Sequence, residues 1–248
     1  MKRQTFLKLA AIGTTGMLLP SELGAKVVLD QDYSRDQLIG KSPKDLVGDS
    51  YLTTMQRDTS VALNLMQVSA KKEGIMIEVV SAFRSFDRQK EIFEGKYKKF
   101  TAEGATPLDA VNRIIEYSTI PGTSRHHWGT DLDLIDGAVK APESVLEARH
   151  FYGNGAFCKL REWLDAHAAT YGFYQVYTNH PDRKGFAHEP WHYSYAPVSI
   201  PMLKAFAKLD LAEVLNDEDL LGASVITGNF LEQYRKNHIM DINPILLD

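Results

Sequence analysis

The sequence predicts an α+β domain, and three observations carry that reading. Stretches with apolar residues at helical spacing are mixed with short runs rich in β-branched residues, Gly and Pro signals separate them, and no segment repeats. Residues 55–72 carry Val61, Leu65, Met66 and Val68 among helix-permissive neighbours, and Gly74 follows as a C-terminal stop. Ile75-Met76-Ile77-Glu78-Val79-Val80 reads as a strand. Ser85 is placed to cap a helix that runs through Phe100, and Thr106-Pro107 opens another that reaches about Tyr117. Pro121-Gly122 breaks the chain into a loop that leads to a strand over 132–135. A helix over 156–171, a strand over 173–177, a polar loop over 178–185 and a strand over 191–195 follow, with Pro197 ending the block. Residues 199–240 read as helical, acidic around Asp217, Glu218 and Asp219.

Composition narrows the function classes. A chain of 248 residues, 44% hydrophobic and 24% charged, is ordinary for a globular protein and long enough to bury its own core. The formal charge of -4, with both signs mixed along the chain, argues against a nucleic-acid partner, which needs a basic face. Cys158 is the single cysteine, so neither an internal disulfide nor a four-cysteine zinc site exists. Residues 1–25 begin with Lys2 and Arg3, continue with a short apolar run, and end in small residues, the layout of an export signal. The run is too short for a transmembrane helix, and Lys8 interrupts it. Its start resembles a twin-arginine signal in which Gln4 replaces the second Arg, which leaves the export route open. The expected organisation is an export signal (1–25), an arm or linker (26–50), a catalytic domain (51–197) and a helical C-terminal extension (198–248).

Two segments concentrate imidazoles and carboxylates at loop-to-strand junctions, where a scaffold presents side chains rigidly. They are Ser124-Arg125-His126-His127-Trp128-Gly129-Thr130-Asp131-Leu132-Asp133 and Glu189-Pro190-Trp191-His192. A hydrolytic zinc site takes three N or O ligands and leaves a position for water. For His126 and Asp133 to meet at one ion the chain between them must turn, and Gly129 permits a sharp turn. Asp131 and Asp133 then share one face of a strand, and His192 arrives from another. Glu189, three residues before His192, is placed to act as a base. Spacing alone leaves another reading open, in which both histidines are core or surface residues and the aspartates cap a turn.

Together the segments resemble the zinc D-alanyl-D-alanine carboxypeptidases of the VanY type, whose fold is shared with the hedgehog signalling domain. Ala82-Phe83-Arg84-Ser85, followed by Gln89, resembles that family's third segment, and the likeness covers about residues 50–197. The resemblance implies a hedgehog/DD-peptidase-like domain with a small antiparallel sheet. It implies Zn2+ held by His126, Asp133 and His192, with Glu189 as general base and Arg84 steadying the oxyanion. Ser124 would contact the terminal carboxylate of the substrate, Gln89 is a further substrate contact, and Arg125 is another candidate for the carboxylate. The implied substrate is a peptidoglycan stem peptide, cleaved outside the cytoplasmic membrane by a monomer. The family commonly has Ala where this chain has Asp131, a departure that either holds a ligand histidine or reshapes the pocket. An L,D-carboxypeptidase, an endopeptidase and a non-catalytic zinc-binding wall module are the alternatives. Of the other histidines, His127 is expected to point away from the ion, His180 and His188 to lie in a solvated loop, and His150, His167 and His238 to be structural.

Overall fold

The computed structural model of the chain describes residues 32–216 and 219–248. Its strands are β1 (Leu46–Val47), β2 (Met55–Gln56), β3 (Ile77–Ser81), β4 (Asp131–Asp136), β5 (Phe173–Gln175) and β6 (His192–Tyr195). The helices are α1 (Arg35–Leu38), α2 (Arg57–Lys72), α3 (Phe86–Ala102), α4 (Pro107–Ile115), α5 (Cys158–His167), α6 (Ala196–Phe206), α7 (Leu211–Asn216) and α8 (Gly228–Tyr234). Strands β1 and β2 pair by themselves, and the other four form an antiparallel sheet in the order β3-β4-β6-β5.

Successive side chains of a strand point to opposite faces. Along β4 this alternation separates Asp131 and Asp133 from Leu132 and Leu134. The register pairs Asp131 with Ser194, Leu132 with Tyr193 and Asp133 with His192, so β6 is sorted the same way. One face is apolar: Ile77, Val79, Leu132, Leu134, Phe173 and Tyr193 pack into a core with residues of α2 and α5. The other face carries two carboxylates, an imidazole and a hydroxyl, all buried.

The capping chemistry lies where the sequence places it. The Ser85 side chain accepts from the Arg88 N–H at the start of α3, and Thr106 accepts from the Asp109 N–H ahead of Pro107 in α4. Three details differ from expectation. Helix α2 buries Thr59, Ala62, Leu63, Met66 and Ala70 and leaves Val61, Leu65 and Val68 exposed. Both stripes have helical spacing, and packing selects the one with smaller residues. The helix expected over 156–171 stops at His167, and a 3₁₀ turn over Ala168–Tyr171 carries the chain to Gly172 at φ +79°. Pro197 opens α6 instead of ending the block, because a first-turn proline gives up an N–H that has no helical partner.

The flanking segments are more integral than the composition suggests. The residues read as an export signal, and the first part of the arm, lie outside the described residues. What is described of the arm is packed, not a linker: Leu38 and Ile39 are buried, and β1 pairs with β2. The Leu38 carbonyl accepts from the Trp128 indole N–H at 3.0 Å, and the Gly40 carbonyl accepts from the Phe86 N–H at 3.1 Å. The C-terminal segment builds a second core: Met202, Leu203, Phe206, Leu215, Leu231 and Tyr234 pack with Phe93, Val111 and Ile114 of α3 and α4. Among the described residues no helix is long and apolar enough to cross a membrane.

If the arm is part of the core, Leu38→Ala should behave as a core truncation. The expected loss is about 2–5 kcal/mol of unfolding free energy, read from urea denaturation. A linker would tolerate the change within a few tenths of a kcal/mol.

Candidate metal centre

Ser124 stands in extended backbone ahead of a 3₁₀ turn over Arg125–Trp128, and Gly129 ends the turn at φ +68°. A Cβ on Gly129 would lie 2.9 Å from Leu46 Cδ2 and 3.0 Å from the Gln56 nitrogen, so the turn needs glycine for both its conformation and its contact with the arm. The chain then enters β4, and the turn swings His126 back toward Asp133. His126 Nε2 lies 3.6 Å from Asp133 Oδ2, and His192 Nδ1 lies 3.7 Å from Asp133 Oδ1. The three ligand atoms fall within 4.8 Å of one another and are the group able to hold a metal ion among the described residues.

The donor set fits a divalent ion of borderline softness such as zinc, which favours two imidazole nitrogens and a carboxylate. Asp133 Oδ1 is buried with no hydrogen-bond partner, which an ion would satisfy. His126 Nδ1 donates to the Ala82 carbonyl at 2.7 Å, which leaves Nε2 with its lone pair toward Asp133. On His192, Nε2 donates to Asp131 Oδ2 at 3.0 Å, and Nδ1 faces Asp133 and, at 2.9 Å, Glu189 Oε2.

The pKa values of the two imidazoles are shifted in opposite directions. Burial, which penalises the charged form, pushes His126 down to about 4. Burial also acts against charge on His192, but hydrogen bonds to Asp131 and Glu189 outweigh it and push His192 up to about 10. Burial works to raise Asp131, yet Arg125 and His192 hold its carboxyl well below the usual range.

A cleft of about 480 Å³ opens over these groups, lined among others by Arg84, Ser124, Tyr177, His188, Glu189 and Trp191. Arg84 donates from Nη1 to Gln89 Oε1 at 3.0 Å and from Nη2 to Ser81 Oγ at 3.2 Å. Ser124 makes no side-chain cap bond to its turn, which leaves its hydroxyl for the cleft. Gln89 does not reach the cleft: it is buried, and its amide donates to Ser118 Oγ and to the Thr119 carbonyl while its oxygen holds Arg84. Its place is behind the guanidinium, not against a ligand. Arg125 lines the cleft, but Nε and Nη2 are taken by Asp131 and Ser194, leaving Nη1 as its one nitrogen without a partner.

Several residues near the site were not legible from motifs. His127 does point away from the ion, but it is a buried clamp: Nδ1 donates to the Arg84 carbonyl at 2.6 Å and Nε2 accepts from the Gly122 N–H. His188 is no solvated-loop residue: it lines the cleft, donating to the Tyr177 carbonyl and meeting the Tyr152 hydroxyl at 2.7 Å. His180 stays exposed on the loop. Tyr177 stands edge-on to His192 with ring centroids 5.0 Å apart, and no local pattern marks it. The wall at Phe186–His188 is fastened from the C-terminal segment. Asp241 Oδ2 accepts from the Lys184 and Gly185 N–H groups at 2.7 and 2.8 Å, and Phe186 packs against Tyr234 and His238.

The family model described as VanY, D-alanyl-D-alanine carboxypeptidase, matches residues 52–198. The chain belongs to the VanY family. A D-alanyl-D-alanine carboxypeptidase of Enterococcus faecalis is 29% identical over 153 residues, 60% of this chain and 51% of that protein. The chain therefore spans about half the length of that relative. An uncharacterized protein of Haemophilus influenzae is 30% identical over 123 residues, 49% of this chain and 93% of its own length. Among solved structures, VanYB in complex with D-alanine-D-alanine superposes with a TM-score of 0.51 at 25% identity, covering 72% of this chain and 92% of that one. The α+β fold with a small antiparallel sheet and flanking helices agrees with that likeness.

Gly129→Ala should strain the turn that delivers His126. The expected cost is about 1–3 kcal/mol of stability, measured by denaturant unfolding, with weaker metal binding by isothermal titration. Unchanged stability and binding would mean that the turn is not what places His126.

Proposed function

We propose that the chain is a zinc carboxypeptidase that removes a C-terminal D-alanine from peptidoglycan stem peptides. The observation that carries this reading is the convergence of His126, Asp133 and His192 within 4.8 Å, with the Glu189 carboxylate beside them on the wall of a cleft. Membership of the VanY family supports the substrate class.

His126 Nε2, His192 Nδ1 and Asp133 would hold the ion. A bound Zn2+ supplies Lewis-acid polarisation of a carbonyl and of water in such a site. Glu189 takes a proton from the attacking water and returns it to the departing amine, the two halves of general acid–base catalysis. Arg84, fixed by Gln89 and Ser81, directs its remaining N–H donors at the oxygen that gains charge. Ser124 offers its hydroxyl to the terminal carboxylate of the peptide. Tyr177 and Trp191 line the cleft and limit water around the reacting groups. The basic and apolar pattern of residues 1–25 supports export, which would bring the enzyme to the cell envelope, where stem peptides lie.

Glu189→Gln tests the base directly. D-alanine release from a pentapeptide should fall about 10²–10⁴-fold while Zn2+ content is retained; undiminished turnover would remove the assignment. Mass spectrometry of the products separates loss of a D-residue from a D,D bond, cleavage of an L,D bond and internal cutting.

Zn2+ should also stabilise the fold. At 100 times its dissociation constant the ion adds about 2.7 kcal/mol by mass action. Thermal unfolding with and without a chelator reads this, and coincident curves would argue against a resident ion.

A further inference from the structure

We infer that Asp131, neutralised by Arg125 and pinned by Ser194, is a positioning residue that selects which nitrogen of His192 faces the metal. This inference rests on the metal reading above and goes beyond its ligand set.

A neutral imidazole carries one N–H, and its two tautomers are close in energy unless a neighbour selects between them. The wrong tautomer at His192 would point an N–H at the ion and abolish that ligand. His126 has its tautomer set by the backbone, because the Ala82 carbonyl can only accept. Among the described residues no backbone carbonyl meets the His192 ring, and its Nδ1, on the metal side, faces the Glu189 carboxylate at 2.9 Å. Its Nε2 instead meets Asp131 Oδ2 at 3.0 Å, and an ionised carboxylate also only accepts. The sheet register makes this possible. Asp133 lies directly across from His192, while Asp131 sits two residues away on the same face of β4, diagonal to the imidazole.

A fully buried carboxylate needs compensation, and every partner of Asp131 supplies it. Arg125 donates from Nε to Oδ2 at 2.7 Å and from Nη2 to Oδ1 at 3.4 Å. Ser194 donates to Oδ1 at 2.6 Å and Thr130 at 3.0 Å. Ser194 in turn accepts from Arg125 Nη2 at 2.8 Å, and the guanidinium lies over the Trp128 ring at 4.8 Å. The pair thus brings an anionic acceptor to His192 while adding no net charge beside the ion. The same geometry explains why Arg125 spends its donors inward.

Removing Asp131 alone would strand a buried guanidinium, so the informative variant is the double substitution Asp131→Ala with Arg125→Met. Its Zn2+ affinity, measured by competition with a chromophoric chelator, should fall about 10–100-fold. Thermal unfolding of the metal-free double variant should stay close to that of the native protein. A readout on the native chain needs no substitution: long-range ¹H–¹⁵N spectra of the Zn2+-loaded protein should show His192 protonated on Nε2 and His126 on Nδ1. Native Zn2+ affinity in the double variant, or His192 bound through Nε2, would overturn the inference and leave Asp131 as the counter-ion of Arg125. A native protein that binds Zn2+ in this pattern but releases no D-alanine would sink the peptidase reading alone. A native protein that binds no Zn2+ would sink both.

Discussion

The pairing of β4 with β6 is the constraint on which everything else in this protein depends. Register between two strands is a discrete choice, and a slip of one residue exchanges the faces. Here the leucines and Tyr193 are committed to the core under α2 and α5, so the aspartates, His192 and Ser194 are committed to the opposite side. The hydrophobic driving force that builds the core therefore also assembles the polar face. No separate energy is needed to bring Asp133 and His192 together; what must be supplied is compensation for burying charge.

That compensation comes largely from groups that can only accept or only donate. Backbone carbonyls of Ala82 and Arg84 accept hydrogen bonds from His126 and His127, and the guanidinium of Arg125 balances a carboxylate. Fixed acceptors of this kind orient imidazoles without adding charge, whereas a carboxylate does so only if a cation accompanies it. The neighbouring imidazoles His126 and His192 accordingly lie in different electrostatic surroundings, one beside a carbonyl and the other between carboxylates.

The four strands of the larger sheet, the capped helices and the residues of the two motifs could be read from the sequence because local rules govern them, whereas the short pair β1 and β2 could not. Ser85, Thr106-Pro107 and Gly129 act within a few residues of themselves, and the Asp-Leu-Asp-Leu alternation is visible in the letters. The partners of those residues are another matter. That the Gln89 amide turns to Ser118 and Thr119, or that His188 meets Tyr152, depends on contacts across 29 or more positions of chain. The packing of the arm was hidden for the same reason: Gly40, Pro43 and Gly48 look like linker composition, and only the tertiary fit of Leu38 beneath Trp128 shows otherwise. In α2 the letters supported two apolar stripes, and the one with Ala62, Leu63, Met66 and Ala70 is buried in the core with the sheet.

The fastening of Lys184 and Gly185 by Asp241 ties the wall of the cleft to the C-terminal segment. The polar face of the sheet is set by the pairing of β4 with β6, whereas the wall beside it takes its anchor from a residue 56 and 57 positions further along the chain. Wall and ligands thus answer to different parts of the chain, so the shape of the cleft and the spacing of His126, Asp133 and His192 can vary independently.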